Sequence, residues 1–345
     1  MTDSQTYNLL IASYLEPKHV ERLRQVDPRV RVVYEPELLA PPRYAADHTG
    51  GDWQRSPDQE ARWRELLAQA NIMFDFDYRH RSDLPDLAPN VRWIQSTSAG
   101  IGQFVVRQGY HTRMPNTVFT TASGVHSRPL AEFCIMAMLM HNKGLPRMLR
   151  DQRRKHWERY AGTDLEGRTL AIVGLGKIGV ETARLAKAFG MQVIGTSRTG
   201  SGRDSVDEYY APERLADMLL QAEYLVLTVP HTPATENIMG RTELGLLPHG
   251  AYVINIARGQ VVDEPALIDA LCSGHLSGAA LDVFVEEPLP PDSPLWEMPN
   301  VVVSPHSAST SDRENERLTT LFCDNLRRFL SGEPMRNILD PGLLY

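Results

Sequence analysis

The stretch "TLAIVGLGKIGVETARLAKAFG", residues 169–190, decides how the rest of the chain reads. It opens on a continuous apolar run, turns through Gly174, Gly176 and Gly179, and continues with helical spacing. Strand, turn and helix therefore follow one another, with the glycines in the order G-x-G-x-x-G. The first glycine permits a tight turn, the second lets an anion approach the backbone, and the third lets helix and strand pack closely. Free N–H groups at the start of the helix, around Lys177 and Ile178, then face that anion, so the stretch predicts a pyrophosphate site. The motif alone is weak, since a merely tight strand–helix turn would use the same letters. What surrounds it decides the matter.

From Gly167 onward, short apolar runs recur at intervals of roughly 23 to 32 residues, separated by helix-like segments, as βαβ units require. They are "TLAIVG", "QVIGTS", "YLVLTV", "AYVINIA", "GAALDV" and "VVVSPH". Several are apolar on successive residues, as strands covered on both faces should be. Six strands with helical crossovers predict an α/β fold with a doubly wound parallel sheet. The runs "YNLLIAS", "RVRVVYE", "NIMFDF" and "VRWIQST" predict a second, smaller α/β domain before it. Between the second and third of these lies an excursion at 36–61, rich in Pro, Gly and charge, which reads as a surface loop or a lid. The tail "DRENERLTTLFCDNLRRFLSG" is helical and can pack back on the first domain. Residues 1–120 and 307–345 then form one domain and 121–306 an inserted one, with crossings near 118–125 and 305–311.

Bulk properties narrow the functional classes. The 345 residues are 42% hydrophobic and 23% charged, which is ordinary for a globular chain of two domains. A net charge of −7 and a pI near 5.9 offer no electrostatic reason to expect nucleic acid or an anionic membrane. Cys134, Cys272 and Cys323 are odd in number and far apart, which favours reduced thiols in a cytoplasm over a disulfide framework. The start "MTDSQTYNLL" lacks a secretory leader, and the most apolar helix candidate, "FCIMAMLM", is too short to span a bilayer. No His/Cys/Asp spacing suggests a metal site.

The second strand of a dinucleotide fold usually ends on a carboxylate that holds the ribose 2′-hydroxyl. Here "VIGTSRTG" places Ser197 and Arg198 there. A carboxylate would repel a 2′-phosphate, whereas serine with a guanidinium binds one, so NADP is favoured over NAD. Arg198 lying over the adenine, with NAD bound, is the competing reading.

Three further strand ends carry chemistry. The fourth run, "AYVINIARGQ", ends in Ala257 and Arg258; the fifth, "GAALDVFVEEP", in Asp282 and then Glu286–Glu287–Pro288; the sixth, "VVVSPHSAS", in His306. Singly these are a solvated arginine, an acidic turn and a histidine at a strand end. Together they are what reducing a 2-keto acid needs, because hydride addition leaves charge on oxygen that a general acid must neutralise. A neighbouring carboxylate stabilises imidazolium and orients the ring. Arginine binds the substrate carboxylate and polarises the carbonyl, which its planar fork suits better than lysine. The expected assignment is His306 as acid/base, Glu287 as its partner and Arg258 as substrate anchor.

The motifs "GRTLAIVGLGKIG", "VINIARGQVVDEPALIDAL", "SGAALDVFVEEP" and "SPHSA" make the chain resemble the D-isomer-specific 2-hydroxyacid dehydrogenases, most strongly from about Val91 to His306. The resemblance implies two Rossmann-like doubly wound domains, the cofactor domain inserted in a smaller flavodoxin-like substrate domain, usually as a homodimer. It implies that Arg258, Glu287 and His306 are the catalytic trio. It also implies that Asp282 meets the nicotinamide carboxamide, and that Val229, Pro230 and Ala257 join the cofactor contacts. "IQSTSAG" is similar to the loop whose amides hold the substrate carboxylate, which points to Ala99 and Gly100. Tyr78, after "NIMFDF", is a further substrate candidate or a surface turn. "TASGVHSRPLAEF", with Ser123, His126 and Arg128, looks closest to the glyoxylate/hydroxypyruvate reductase branch. In "TVPHTPAT", His231 replaces the more usual leucine and reads as a loop residue near the adenosine. A cofactor-sensing corepressor-like protein, or a dehydrogenase of another small anion such as phosphite, is the alternative.

Overall fold

The computed structural model describes residues 6–343 and divides into two compact units, residues 6–125 with 310–343, and residues 126–309. The first unit is built on five parallel strands: β1 (Tyr7–Ile11), β2 (Val30–Val33), β3 (Ile72–Phe74), β4 (Trp93–Gln95) and β5 (Val118–Thr120). Their order in the sheet is β2-β1-β3-β4-β5, the flavodoxin-like winding. Alternation along β1 decides its two faces. Leu10 joins Met73, Ile94 and Trp63 on one side, while Leu9 and Ile11 join Phe74, Trp93 and Phe322 on the other. Phe322 lies on the helix Glu314–Ser331, so the tail of the chain closes this sheet, with its ring stacked 4.6 Å from Trp93.

The second unit holds seven parallel strands: β6 (Thr169–Val173), β7 (Gln192–Thr196), β8 (Glu208–Tyr210), β9 (Tyr224–Leu227), β10 (Ala251–Asn255), β11 (Leu276–Leu281) and β12 (Val301–Val303). The order β12-β11-β10-β9-β6-β7-β8 reverses direction between β6 and β9, where doubly wound sheets bind ligands. Ala171, Val173, Leu225 and Val253 face one core, and Leu170, Ile172, Val226 and Ile254 the other. Complete burial of a Leu, Ile or Val contributes about 1.5–3 kcal/mol, so both faces are strongly specified.

Two strands depart from the sequence reading. The second sheet has seven strands rather than six, because Glu208–Tyr210 adds an edge strand, and the first has five rather than four, because Val118–Thr120 closes it. Each is only three residues long and lies at the end of its sheet, and outside β5 the tail adds an antiparallel bridge from Ile338 to Thr120. Neither run is long enough to stand out as a strand in the sequence.

The excursion is neither a free lid nor a plain surface loop. Leu38, Leu39 and Asp47 are buried. Arg55 donates to the Leu38 carbonyl at 2.7 Å and stacks 4.2 Å from the Trp63 ring, while Arg79 donates to the Gly51 carbonyl at 2.8 Å. No helix among the described residues is long and apolar enough to cross a membrane.

Candidate active site

The exit from β10 is folded by a single buried amide. Asn255 accepts the Ala257 N–H at 3.0 Å and donates to the Arg258 carbonyl at 3.0 Å, turning the backbone as soon as the strand ends. Gly259 then runs against the loop after β11. A Cβ at this position would lie 1.9 Å from the carbonyl carbon and 2.0 Å from the carbonyl oxygen of Phe284. This close approach accounts for the glycine directly behind the arginine. Gln260 adds a hydrogen bond to the Val285 carbonyl at 3.1 Å. Arg258 is thereby held half-buried; burial lowers its pKa, and Glu287 and then Asp282 oppose that shift electrostatically.

Glu287 is fixed from its own loop. One carboxylate oxygen accepts the Phe284 N–H at 3.0 Å, and the other hydrogen-bonds His306 Nδ1 at 2.8 Å. Both side chains remain partly open to solvent. Glu287 engages Nδ1 of His306, and Nε2 is the other ring nitrogen. His306 itself has φ +53°, a left-handed backbone that a non-glycine residue adopts only when its surroundings demand it.

Asp282, buried at the end of β11, supplies that demand. Its Oδ1 accepts from the Ser304 hydroxyl at 2.5 Å and from the N–H groups of Ser307 at 2.8 Å and Ala308 at 2.9 Å. Its carbonyl accepts the His306 N–H at 2.9 Å. One carboxylate oxygen thus organises the loop that carries the imidazole. Arg258, Asp282, Glu287 and His306 accordingly come together within one unit, on the ends of three strands that are neighbours in the sheet.

The glycine turn fits a dinucleotide. A Cβ at Gly179 would lie 2.1 Å from the Gly174 carbonyl oxygen, and one at Gly174 would lie 2.8 Å from Thr228 Oγ1, so both are required by packing. Gly174 also has φ +110°. At Gly176 a Cβ would meet nothing within 4 Å, so this glycine leaves open the space a pyrophosphate needs. The helix Lys177–Ala188 starts there with its N–H groups facing that space, and Lys177 and Ile178 form its first turn. Val229 and Pro230 follow β9, Ala257 is buried after β10, and Ser197 and Arg198 follow β7. His231 lies 4.0 Å from Glu236. Arg128 is exposed and pairs with Glu132 and Glu181.

In the first unit, Ala99 and Gly100 sit in the loop after β4, half-buried and exposed respectively. Tyr78 follows β3, half-buried; burial and then the Asp75 carboxylate push its phenol well above the ordinary value, so it is a neutral hydroxyl. Asp75, not singled out from the sequence, is fully buried with φ +69° and accepts from the Thr97 hydroxyl at 2.9 Å. Asn255 and Ser304 were equally unmarked. Among the described residues, no cluster of His, Cys, Asp and Glu could hold a metal ion.

Comparison with known proteins agrees with this architecture. The D-isomer specific 2-hydroxyacid dehydrogenase NAD binding domain model matches residues 135–308. A glyoxylate reductase of Aeropyrum pernix is 33% identical over 287 residues, covering 80% of this chain and 84% of its own. A glyoxylate/hydroxypyruvate reductase B of Yersinia pestis is 31% identical over 301 residues, covering 84% and 90%. The crystal structure of a D-isomer specific 2-hydroxyacid dehydrogenase from Xanthobacter autotrophicus Py2, in complex with NADPH and MES, superposes with a TM-score of 0.78 at 30% identity, over 99% of this chain and 100% of that one. Fold and glycine turn define an oxidoreductase that uses a nicotinamide dinucleotide. The chain belongs to the D-isomer specific 2-hydroxyacid dehydrogenase family.

Proposed function

We propose that this dehydrogenase reduces a short 2-keto acid, glyoxylate or hydroxypyruvate, to the D-2-hydroxy acid with NADPH. The observation that carries this reading is the 2.8 Å His306–Glu287 pair beside the half-buried guanidinium of Arg258. When bound, the cofactor supplies the hydride. His306 protonates the carbonyl oxygen, Glu287 holds and stabilises the imidazolium, and Arg258 binds the substrate carboxylate and polarises the carbonyl. Asp282 keeps its second carboxylate oxygen for the nicotinamide carboxamide. The unit 126–309 is the cofactor domain, held through Gly174, Gly176, Lys177, Ile178, Gly179, Ser197, Arg198, Val229, Pro230 and Ala257. The other unit is the substrate domain, with the amides of Ala99 and Gly100 as donors to the carboxylate and Tyr78 as a further contact.

NADPH oxidation against a panel of glyoxylate, hydroxypyruvate, phenylpyruvate and phosphite tests the reading. Turnover with the two small keto acids is expected; activity with none of the panel would end it. We further propose a cytoplasmic homodimer. Trp157, 96% exposed, and the neighbouring Met148 and Leu149, both exposed, support a second copy as the cover of this surface. A monomeric mass by light scattering at micromolar concentration would exclude the dimer.

A further inference from the structure

Asp75 leaves β3 in an unusual way. Its N–H still donates to the Gln95 carbonyl at 2.8 Å, continuing the ladder with β4, yet its φ is +69°. A non-glycine residue keeps that conformation only where its surroundings demand it. The side chain is fully buried and reaches across to the next loop. Its Oδ2 accepts the Thr97 hydroxyl at 2.9 Å and its Oδ1 the Thr97 N–H at 3.3 Å. Burial pushes this carboxyl up, and His48 first, then the Phe76 N–H and Thr97, oppose that shift. His48 is carried by the excursion and anchored through Nδ1 to the Ser13 hydroxyl at 3.0 Å.

Thr97 opens the loop after β4, and the loop is pinned on either side of it. The Ser96 N–H donates to the Thr120 carbonyl at 2.9 Å, and the Ser98 N–H to the Ser96 hydroxyl at 2.9 Å. The Ser98 carbonyl accepts the Ala122 N–H at 3.0 Å, and the Gly100 N–H reaches the Ser98 hydroxyl only at 3.3 Å. Among the described residues the Ala99 N–H has no acceptor. Thr97, itself buried, links this loop to the end of β3 through one carboxylate.

We propose that Asp75 is a positioning residue: through Thr97 it sets the backbone of residues 97–100, whose Ala99 and Gly100 amides take the carboxylate of the 2-keto acid. The inference rests on the 2-keto acid reading and adds a residue that touches no substrate. A left-handed residue and a buried carboxylate meet here as they do at His306 and Asp282. In both places a buried carboxylate holds a loop that carries functional groups. The substrate carboxylate does not change during hydride transfer, so its amides bind ground state and transition state alike. Disturbing them raises KM and spares kcat.

Steady-state NADPH oxidation with hydroxypyruvate, for wild type, Asp75→Asn, Thr97→Val and Thr97→Ser, tests it. Asp75→Asn keeps the shape but cannot accept both bonds from Thr97. Its KM should rise at least about tenfold, the size of one charge-assisted hydrogen bond, with kcat within about threefold. Thr97→Val, which deletes the hydroxyl, should raise KM by about threefold to tenfold, and Thr97→Ser should recover most of that. NADPH binding should stay within about twofold, because the glycine turn lies in the other unit. Unchanged KM in both Asp75→Asn and Thr97→Val, or a fall in kcat with KM unchanged, gives Asp75 a purely structural part and overturns this inference alone. If Asp75→Asn does not fold, the threonine pair decides, and equal KM values for Thr97→Val and Thr97→Ser overturn it. A wild type that turns over no 2-keto acid overturns the proposed reaction and this inference with it.

Discussion

Gly259→Ala is the sharpest test of why the trio meets. The methyl group would enter 1.9 Å from the Phe284 carbonyl carbon, 2.0 Å from its oxygen and 2.3 Å from the Val285 nitrogen. All three are backbone atoms, so no side chain can swing aside. Ordinary contact begins near 3.4 Å, and the loops after β10 and β11 must therefore separate by about 1.5 Å. The first carries Arg258 and the second Glu287, which orients His306. A misplacement of about 1 Å between catalytic groups costs on the order of 10²-fold in rate. Overpacking of this kind costs about 1–3 kcal/mol, less than the stability of an ordinary domain, so the variant folds. Steady-state NADPH oxidation with hydroxypyruvate should show kcat/KM down about 10²-fold. NADPH binding, followed by fluorescence, should fall much less than kcat/KM, because the glycine turn lies elsewhere on the sheet and only the contacts at Ala257 and Asp282 border the loops that separate. A kcat/KM within threefold of wild type, with the protein folded, would refute the claim that this approach sets the active geometry.

Two further outcomes are expected. His306→Ala should lower kcat by about 10²–10⁴-fold with little change in cofactor affinity, and an unchanged kcat would remove its acid role. His80→Gln probes the first unit. The hydrogen bond to Asp77 at 2.6 Å, opposed by burial, lifts His80 above its usual 6.5. Burial works to raise Asp77, yet His80, Arg55 and Trp63 hold it below 3.8. The His80 contribution is complete below the unfolded histidine value and fades as pH rises through the folded one. The Asp77 contribution is complete above the unfolded carboxylate value and fades as pH falls through the folded one. The melting temperature of His80→Gln should therefore fall by roughly 3–6 °C at pH 5.5 and by clearly less at pH 9. An equal fall at both pH values would show that packing, not charge, is what His80 contributes.

The legible parts of this protein are those where physics acts over a few residues. Strands β6, β9 and β10 are covered on both faces, which writes itself as runs of Val, Ile and Leu. The glycine turn is legible because Gly174 needs a positive φ and Gly179 a missing Cβ at fixed spacing. What stayed hidden depends on contacts between distant residues. Gly259 is explained by Phe284, twenty-five positions on, and Asp282 by hydroxyl and amide donors at 304, 307 and 308. The excursion read as loop because its composition is polar. Its anchors are tertiary: Arg55 on the ring of Trp63, Arg79 on the Gly51 carbonyl, and Leu38 and Leu39 buried beneath.

The two backbone choices at the site are complementary. Beside Arg258 the chain uses glycine at the start of the short 3-10 turn Gly259–Val261, because a neighbouring backbone leaves no room for a side chain. At position 306 the conformation itself favours glycine, with φ +53°, yet the residue is histidine. A left-handed non-glycine residue costs about 1–3 kcal/mol, and it persists only where other bonds over-determine it. Here one oxygen of Asp282 accepts from Ser304, Ser307 and Ala308, and the Asp282 carbonyl takes the His306 N–H. Hydrogen bonds to a charged group contribute about 1.5–3 kcal/mol each, enough to offset the strain. Glycine at 306 would relieve the backbone and remove the imidazole that faces Glu287. The strain is therefore tied to chemistry: the loop is bent so that His306 reaches its carboxylate partner, and the buried aspartate holds it there.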